Sequence, residues 1–338
     1  MYQQQFLTTD RLTTSYYRAG EGNSRKLLLL HGNVSSSVFY LPLFEALSGD
    51  YDVVAPDLRC YGDSSALPVD AARGLRDWSD DLDEFVTALG WDKFAFAGWS
   101  MGGGIAMQYA IDHGEKLTGV ILIAPLSPFG FGGTKGETGE LLEPAGLASG
   151  GGCVNAQLIE AVANHTDEFL LTTLNSLYFK PPYRAEPQWE AIFIDGMAKT
   201  KVGDGMYPGD SALCQTWPSV VSGTKGTNNT MSPAYCDLSP IADLPKKPPI
   251  LWVRGDGDMI VSDTSMCDFG FLGQLGLVPG WPGADALPPQ PMIAQTRYVL
   301  DKYAAGGGQY RELVLPGGHG VHLEQPEEFV AAVNELLA

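Results

Sequence analysis

Ser100 stands two residues from each of two glycines in Gly98-Trp-Ser-Met-Gly102, a spacing suited to nucleophilic chemistry. A short apolar run, Phe94 to Ala97, precedes it, and Ile105, Met107, Tyr109 and Ala110 begin a helical pattern after it. A serine on such a strand-to-helix turn is held in a strained backbone, with its hydroxyl lifted clear of the sheet. The flanking positions must be glycine because a side chain there would meet the neighbouring strand or helix. The hydroxyl also sits at a helix N-terminus, whose outward N–H groups favour developing negative charge.

A protonated serine is a poor nucleophile and needs a base. The chain has five histidines. His319, in Pro316-Gly-Gly-His319-Gly, directly follows the last strand and is the expected base, with His322 its competitor. Sites in sheets of this kind lie at the carboxyl ends of the strands, where Ser100 also lies. His31 ends a strand and reads as a structural imidazole, His113 as the close of a helix, and His165 as surface. The base in turn needs an acid that fixes its tautomer. The run Ile250 to Arg254 leads into Gly255-Asp256-Gly257-Asp258. Asp258, further round the turn, is favoured; Asp256 reads as a turn former, and Asp263 is more remote. Two backbone amides, of Met101 and of Asn33 in His31-Gly32-Asn33, are the expected oxyanion donors.

Strands must hold these groups in place. Lys26 to His31 is a continuous aliphatic run, the signature of a strand buried on both faces. Tyr51 to Pro56, Leu117 to Ala124 and Gln309 to Leu315 read likewise, and Phe6 to Arg18 reads as a pair of strands broken near Asp10. Helical spacing joins Phe39, Leu43, Phe44 and Leu47, then Leu82, Phe85, Val86 and Leu89; Pro326 to Leu337 is a final helix. Strand and helix in alternation predict an α/β fold, a mostly parallel central sheet covered by helices on both faces. From Ser127 the rhythm gives way to Gly-, Pro-, Ser- and Thr-rich chain with patchy helical signal, as at Leu158 to Leu177. The expected division is a core of 1–126 and 241–338 and an inserted lid of 127–240. A second Gly- and Pro-rich insertion runs from Cys267 to Pro291.

The bulk numbers narrow the function. The 338 residues, 44% hydrophobic, suffice for one large α/β domain with an insertion. A net charge of −19 argues against nucleic acid and anionic membranes as partners. No run is long and apolar enough for a membrane span, and the first ten residues show no signal peptide. Five scattered cysteines without a C-x-x-C pair fit reduced thiols and a cytoplasmic location better than a disulfide framework or a zinc site. One pairing, Cys214 with Cys236, stays open. No metal and no cofactor is expected.

Taken together, these residues resemble the α/β-hydrolase superfamily, whose chain order of nucleophile, acid and base is that of Ser100, Asp258 and His319. The landmarks are His31-Gly-Asn, Asp57-Leu-Arg-Cys-Tyr-Gly-Asp-Ser, Gly-Trp-Ser-Met-Gly-Gly-Gly, Arg-Gly-Asp-Gly-Asp and Gly-His-Gly-Val-His-Leu-Glu-Gln-Pro. The resemblance implies an α/β-hydrolase fold and a serine hydrolase of the esterase or lactonase type, acting through an acyl-enzyme. It excludes the haloalkane dehalogenase and epoxide hydrolase branches, which carry aspartate at the position of Ser100. This chain departs from the pattern at Cys60, where relatives commonly carry glycine, which predicts a stiffer loop and a thiol near the site entrance. It departs again in the 61 positions from acid to base. The lid aromatics Phe129, Phe131, Tyr178, Phe179, Tyr183, Trp189, Phe193, Tyr207 and Trp217, with Met206, suggest a largely apolar pocket for a small-molecule ester or lactone with bulky or aromatic parts; the alternative is that they form the lid's own core. Other readings of the same triad are C–C cleavage of a diketone, perhydrolase- or haloperoxidase-like activity, and release of an N-terminal residue. The last needs a lid carboxylate, from Glu137, Glu140, Glu143, Glu160, Glu168, Glu186 or Glu190. A non-catalytic ligand-binding protein is the reading from another class.

Overall fold

The four leucines of Arg25–Leu30 are fully buried, as a strand covered on both faces requires. This strand lies inside an eight-stranded sheet in the computed structural model, which describes residues 2–338. In chain order the sheet strands are β1 (Gln4–Thr8), β2 (Thr13–Ala19), β3 (Arg25–Leu30) and β4 (Tyr51–Pro56). They continue as β5 (Phe94–Trp99), β6 (Leu117–Ile123), β7 (Ile250–Gly255) and β8 (Tyr310–Leu315). Across the sheet the order is β1-β2-β4-β3-β5-β6-β7-β8. The first two pairings, β1 with β2 and β2 with β4, are antiparallel; every later neighbour is parallel. The expected α/β architecture, a mostly parallel sheet, is therefore the observed one.

Parallel neighbours need crossovers, and helices supply them. Arg76–Ala88 (α1) and Met101–His113 (α2) flank β5 in the chain. Three helices lie between β6 and β7: α3 (Ala156–Asn164), α4 (Asp167–Thr173) and α5 (Pro187–Ala198). The core closes with α6 (Met292–Ala305) and α7 (Pro326–Leu336). Two local expectations change. The stripe Phe39 to Leu47 forms a 3₁₀ stretch, Ser37–Leu43, and a single α-turn, Phe44–Leu47, because Pro42 cannot donate inside a longer helix. The stripe Leu158 to Leu177 breaks at His165, which takes a left-handed conformation and ends α3. No described helix is long and apolar enough to cross a membrane.

The segment 127–240 adds no strand to the main sheet, only two short ribbons of its own. One small cluster of its own, Leu142, Leu147 and Ala148, forms with Leu287 of the second insertion, but most of its apolar residues join the main core. Leu170, Leu174, Phe193 and Met197 belong to one buried cluster with Leu27, Leu29, Trp99 and Val253 of the sheet. Phe193 stacks on Phe39 with ring centroids 4.4 Å apart. The second insertion docks on the first: Trp217 donates to the carbonyl of Pro279 at 2.9 Å and packs against Phe269. All five cysteines are free thiols, so Cys214 and Cys236 are not joined.

Candidate active site

At the C-terminal end of β5 the backbone turns sharply into α2, and Ser100 occupies the corner at φ +59°, ψ −120°. A Cβ on Gly98 would lie 2.1 Å from the carbonyl oxygen of Gly102, and one on Gly102 would lie 2.4 Å from that of His31. Both obstacles are backbone and cannot swing aside, so glycine is required at each position. Hydrogen bonds over-determine the corner: the Ser100 amide donates to Ile123, and its carbonyl accepts from Gly103, Gly104 and Leu126. Among the described residues the Ser100 hydroxyl has no side-chain hydrogen bond, and it reaches the wall of a cavity that His319 also lines.

The base candidate is held from three sides. His319 Nδ1 lies 2.8 Å from Asp258 Oδ2, with both side chains buried. The other oxygen of Asp258 accepts the amides of Ile260 and Val261 at 2.7 and 2.9 Å. The His319 carbonyl accepts from the indole of Trp99, the residue before Ser100, at 2.8 Å. Glu324, to which no role attaches from sequence, braces the same loop by accepting the amides of Gly318 and Lys180. The competing groups lie elsewhere. Asp256 is 48% exposed and pairs with Lys180, and Asp263 accepts the Ile293 amide at the start of α6. His113 closes α2 beside Asp83, and His165 is exposed.

His31 and His322 are both buried, and they differ in how they are satisfied. His31 Nε2 accepts the Leu58 amide at 3.0 Å, which leaves Nδ1 to donate to the Gly32 carbonyl at 2.8 Å. Among the described residues His322 has no hydrogen-bond partner at either nitrogen, and it packs among the rings of Tyr40, Trp99 and Phe329. Burial pushes their imidazoles down from 6.5, to about 4 for His31 and about 3 for His322. The folded protein thus keeps them neutral where the unfolded chain would protonate them. Their stabilisation is complete above pH 6.5 and is lost as pH falls toward about 4. Each costs up to about 1.4 kcal/mol per pH unit in that window. Melting temperatures across it should fall less steeply for His322→Phe than for the native chain; an equal slope would remove His322 from this account.

The Asn33 amide is aimed by the same His31. The Gly32 carbonyl also accepts from Ser35 Oγ at 2.9 Å, so that oxygen is fixed inward. In a planar trans peptide the N–H points opposite to the C=O, so the Asn33 amide points away from His31 and Ser35. Met101 heads α2, where its amide has no intrahelical acceptor. Asn33, Ser100, Met101 and His319 all line the one cavity, whereas His322 does not.

That cavity is about 630 Å³. Of the aromatics singled out from sequence, Phe131, Tyr178 and Tyr207 line it. Phe179 and Phe193 are core, and Phe129 and Met206 pack on the other face of the sheet. The second insertion supplies Cys267, Phe269 and Leu272, which composition alone did not reveal. No Lys, Arg, Asp or Glu lines the cavity among the described residues, the seven glutamates of 127–240 named from sequence included. The expectation of a thiol near the entrance at Cys60 is overturned: its side chain is buried, and its Sγ contacts the Leu67 carbonyl at 2.7 Å. Burial pushes the thiol up to about 12. Cys60 does adopt φ +71°, which explains why glycine would serve there.

A model of the Alpha/beta hydrolase family matches residues 27–332. Over 113 residues the chain is 36% identical to the pimeloyl-[acyl-carrier protein] methyl ester esterase of Aliivibrio salmonicida, covering 33% of this chain and 41% of that protein. The chain thus aligns with about two fifths of that relative's length. An enol-lactonase from Burkholderia xenovorans superposes with a TM-score of 0.62 at 17% identity, covering 98% of this chain and 99% of its own. The esterase RhEst1 from Rhodococcus gives 0.63 at 17% identity, covering 99% and 98%. At such identities the two structures speak for the fold.

Proposed function

This chain belongs to the Alpha/beta hydrolase family, and from that premise we propose that it cleaves a carboxylic ester or lactone through an acyl-enzyme on Ser100. The observation that carries the reading is the buried 2.8 Å contact between His319 and Asp258, at the cavity that holds the strained Ser100. His319 takes the Ser100 proton as Oγ bonds to the substrate carbonyl carbon, and the carbonyl oxygen becomes an oxyanion under the Asn33 and Met101 amides. The C–O bond to the alcohol breaks, and His319 passes the proton to that leaving oxygen. Water, deprotonated by His319, then attacks the acyl carbon; Ser100 recovers the proton and the acid departs. Asp258 holds the imidazole with its proton on Nδ1. In this reading 127–240 is the cap over a core of 1–126 and 241–338.

The uncharged wall favours neutral substrates. It weakens the reading as an N-terminal peptidase, because the required lid carboxylate is absent from the lining. A carboxylate on the acyl chain would be desolvated with no cation opposite it. We therefore expect kcat/KM for a p-nitrophenyl alkanoate to exceed that for the hemi-diacid ester of matched length on the order of 10²-fold. Equal rates would contradict the neutral-substrate claim, and no turnover of any ester or lactone would contradict the hydrolase reading.

A further inference from the structure

One residue of the inserted segment bonds to the backbone on both sides of the candidate site, through its side chain on one and its carbonyl on the other. Tyr178 ends a π-helical turn, Leu174–Tyr178, of the kind often found at functional positions. Its hydroxyl lies 3.1 Å from the carbonyl oxygen of Asn33 and 3.0 Å from that of Val34. Its own carbonyl accepts the amide of Gly320, next to His319, at 2.7 Å. The approach is close: a Cβ on Gly318 would lie 2.7 Å from the Lys180 nitrogen and 2.8 Å from the Tyr178 oxygen.

What the hydroxyl grips is strained. Val34 sits at φ +46°, a region a β-branched residue occupies only when its surroundings force it. Three contacts do so from one side: Tyr61 donates to Asn33 Oδ1 at 2.7 Å, the Val34 amide donates to the same oxygen, and Gly32 is fixed by His31 and Ser35. From the other side Tyr178 holds the Asn33 and Val34 carbonyls, while Asn228 Oδ1 accepts from Asn33 Nδ2 at 3.2 Å. Without the Tyr178 hydrogen bond, only the Val34 amide's bond to Asn33 Oδ1 restrains the peptide between Asn33 and Val34 against relieving the strain at Val34, and a shift of the Asn33 Cα carries the neighbouring Asn33 amide with it. Burial pushes the phenol up, so it stays a donor throughout. Its one hydrogen is committed to backbone, and it exchanges no proton with substrate.

We propose that Tyr178 is a positioning residue that aims the Asn33 amide at the oxyanion, so the inserted segment sets the rate of acyl transfer as well as the shape of the cavity. The proposal rests on the hydrolase reading above. Its signature is selective, because a misaimed oxyanion donor weakens the transition state and leaves the ground state nearly as it was.

The test is Tyr178→Phe, which keeps the ring against Trp99 and Phe39 and removes only the hydroxyl. On a neutral p-nitrophenyl ester, kcat should fall by about 10- to 100-fold, somewhat less than outright loss of an oxyanion donor costs. KM should stay within about twofold, since ground-state contacts are untouched. Affinity for a trifluoromethyl ketone, whose hydrate-like adduct carries the oxyanion, should fall by the same factor as kcat. Replacing Tyr178 by p-aminophenylalanine, which returns a donor at the same reach, should restore both. Unchanged kcat and ketone affinity in folded Tyr178→Phe would overturn the proposal, as would a rise in KM in place of the fall in kcat. If Tyr178→Phe does not fold, the p-amino variant decides: a folded protein with wild-type rate supports the role, and one that has lost the rate overturns it. A native protein inert to every ester and unlabelled by a fluorophosphonate would instead sink the hydrolase reading itself.

Discussion

Ser100→Ala is expected to abolish ester hydrolysis, lowering kcat on the order of 10⁶-fold, the loss seen when a nucleophile is deleted from an intact triad. The substitution removes one oxygen that has no hydrogen bond to lose, so the fold should be undisturbed. Alanine meets the same strain as serine at φ +59°, and the backbone bonds that fix the corner are unchanged. Melting temperature should therefore stay close to that of the native chain while a fluorophosphonate probe no longer labels the protein. In the proposed mechanism the residual rate is what the amides of Asn33 and Met101 would supply by binding alone. Native turnover in the variant would remove Ser100 from the mechanism.

Asp258→Asn should cost about 10⁴-fold in kcat with the geometry nearly intact. The reason lies in which atoms accept. One carboxylate oxygen takes two backbone amides, from Ile260 and Val261, and the other faces His319 Nδ1. Only the oxygen of an asparagine side chain can accept those amides, so its NH₂ is turned toward the imidazole. His319 must then accept at Nδ1 and carry its proton on Nε2, facing Ser100, where it cannot act as a base. Asp256→Asn is the matched control. That carboxylate is half-exposed, and its Oδ1 takes both Lys180 and the Gly317 amide, contacts that the oxygen of an asparagine can keep. Steady-state kinetics of the two variants side by side checks the assignment; a larger loss from Asp256→Asn would reverse it.

Much of the core was legible because its causes are local. Four consecutive leucines require a strand buried on both faces, and a serine two residues from each of two glycines at a strand end requires a sharp turn. The alternation of strands and helices predicted a mostly parallel sheet, and the strand ends predicted a shared carboxyl edge for Ser100, Asp258 and His319, but the order of the strands, with β4 outside β3, came only from the structure. The stripe Phe39 to Leu47 misled because periodicity carries no information about a missing donor at Pro42. Cys60 misled in another way: the resemblance placed its thiol near the site entrance, yet the side chain is buried on a left-handed backbone.

What the sequence determined by itself is the set of groups able to do chemistry and the scaffold that carries them, since sterics and burial act over a few residues. Which imidazole meets a carboxylate, and which aromatics face the cavity, was decided only by tertiary packing. His319 and His322 are three positions apart in the same motif, yet one is held by Asp258 and the other sits unpartnered among rings. Glu324 and Tyr178 act on backbone amides and carbonyls, which every residue possesses, so their targets leave no mark in the side-chain pattern. The bond from Trp99 to His319 spans 220 positions, and only the closed fold brings its two ends together.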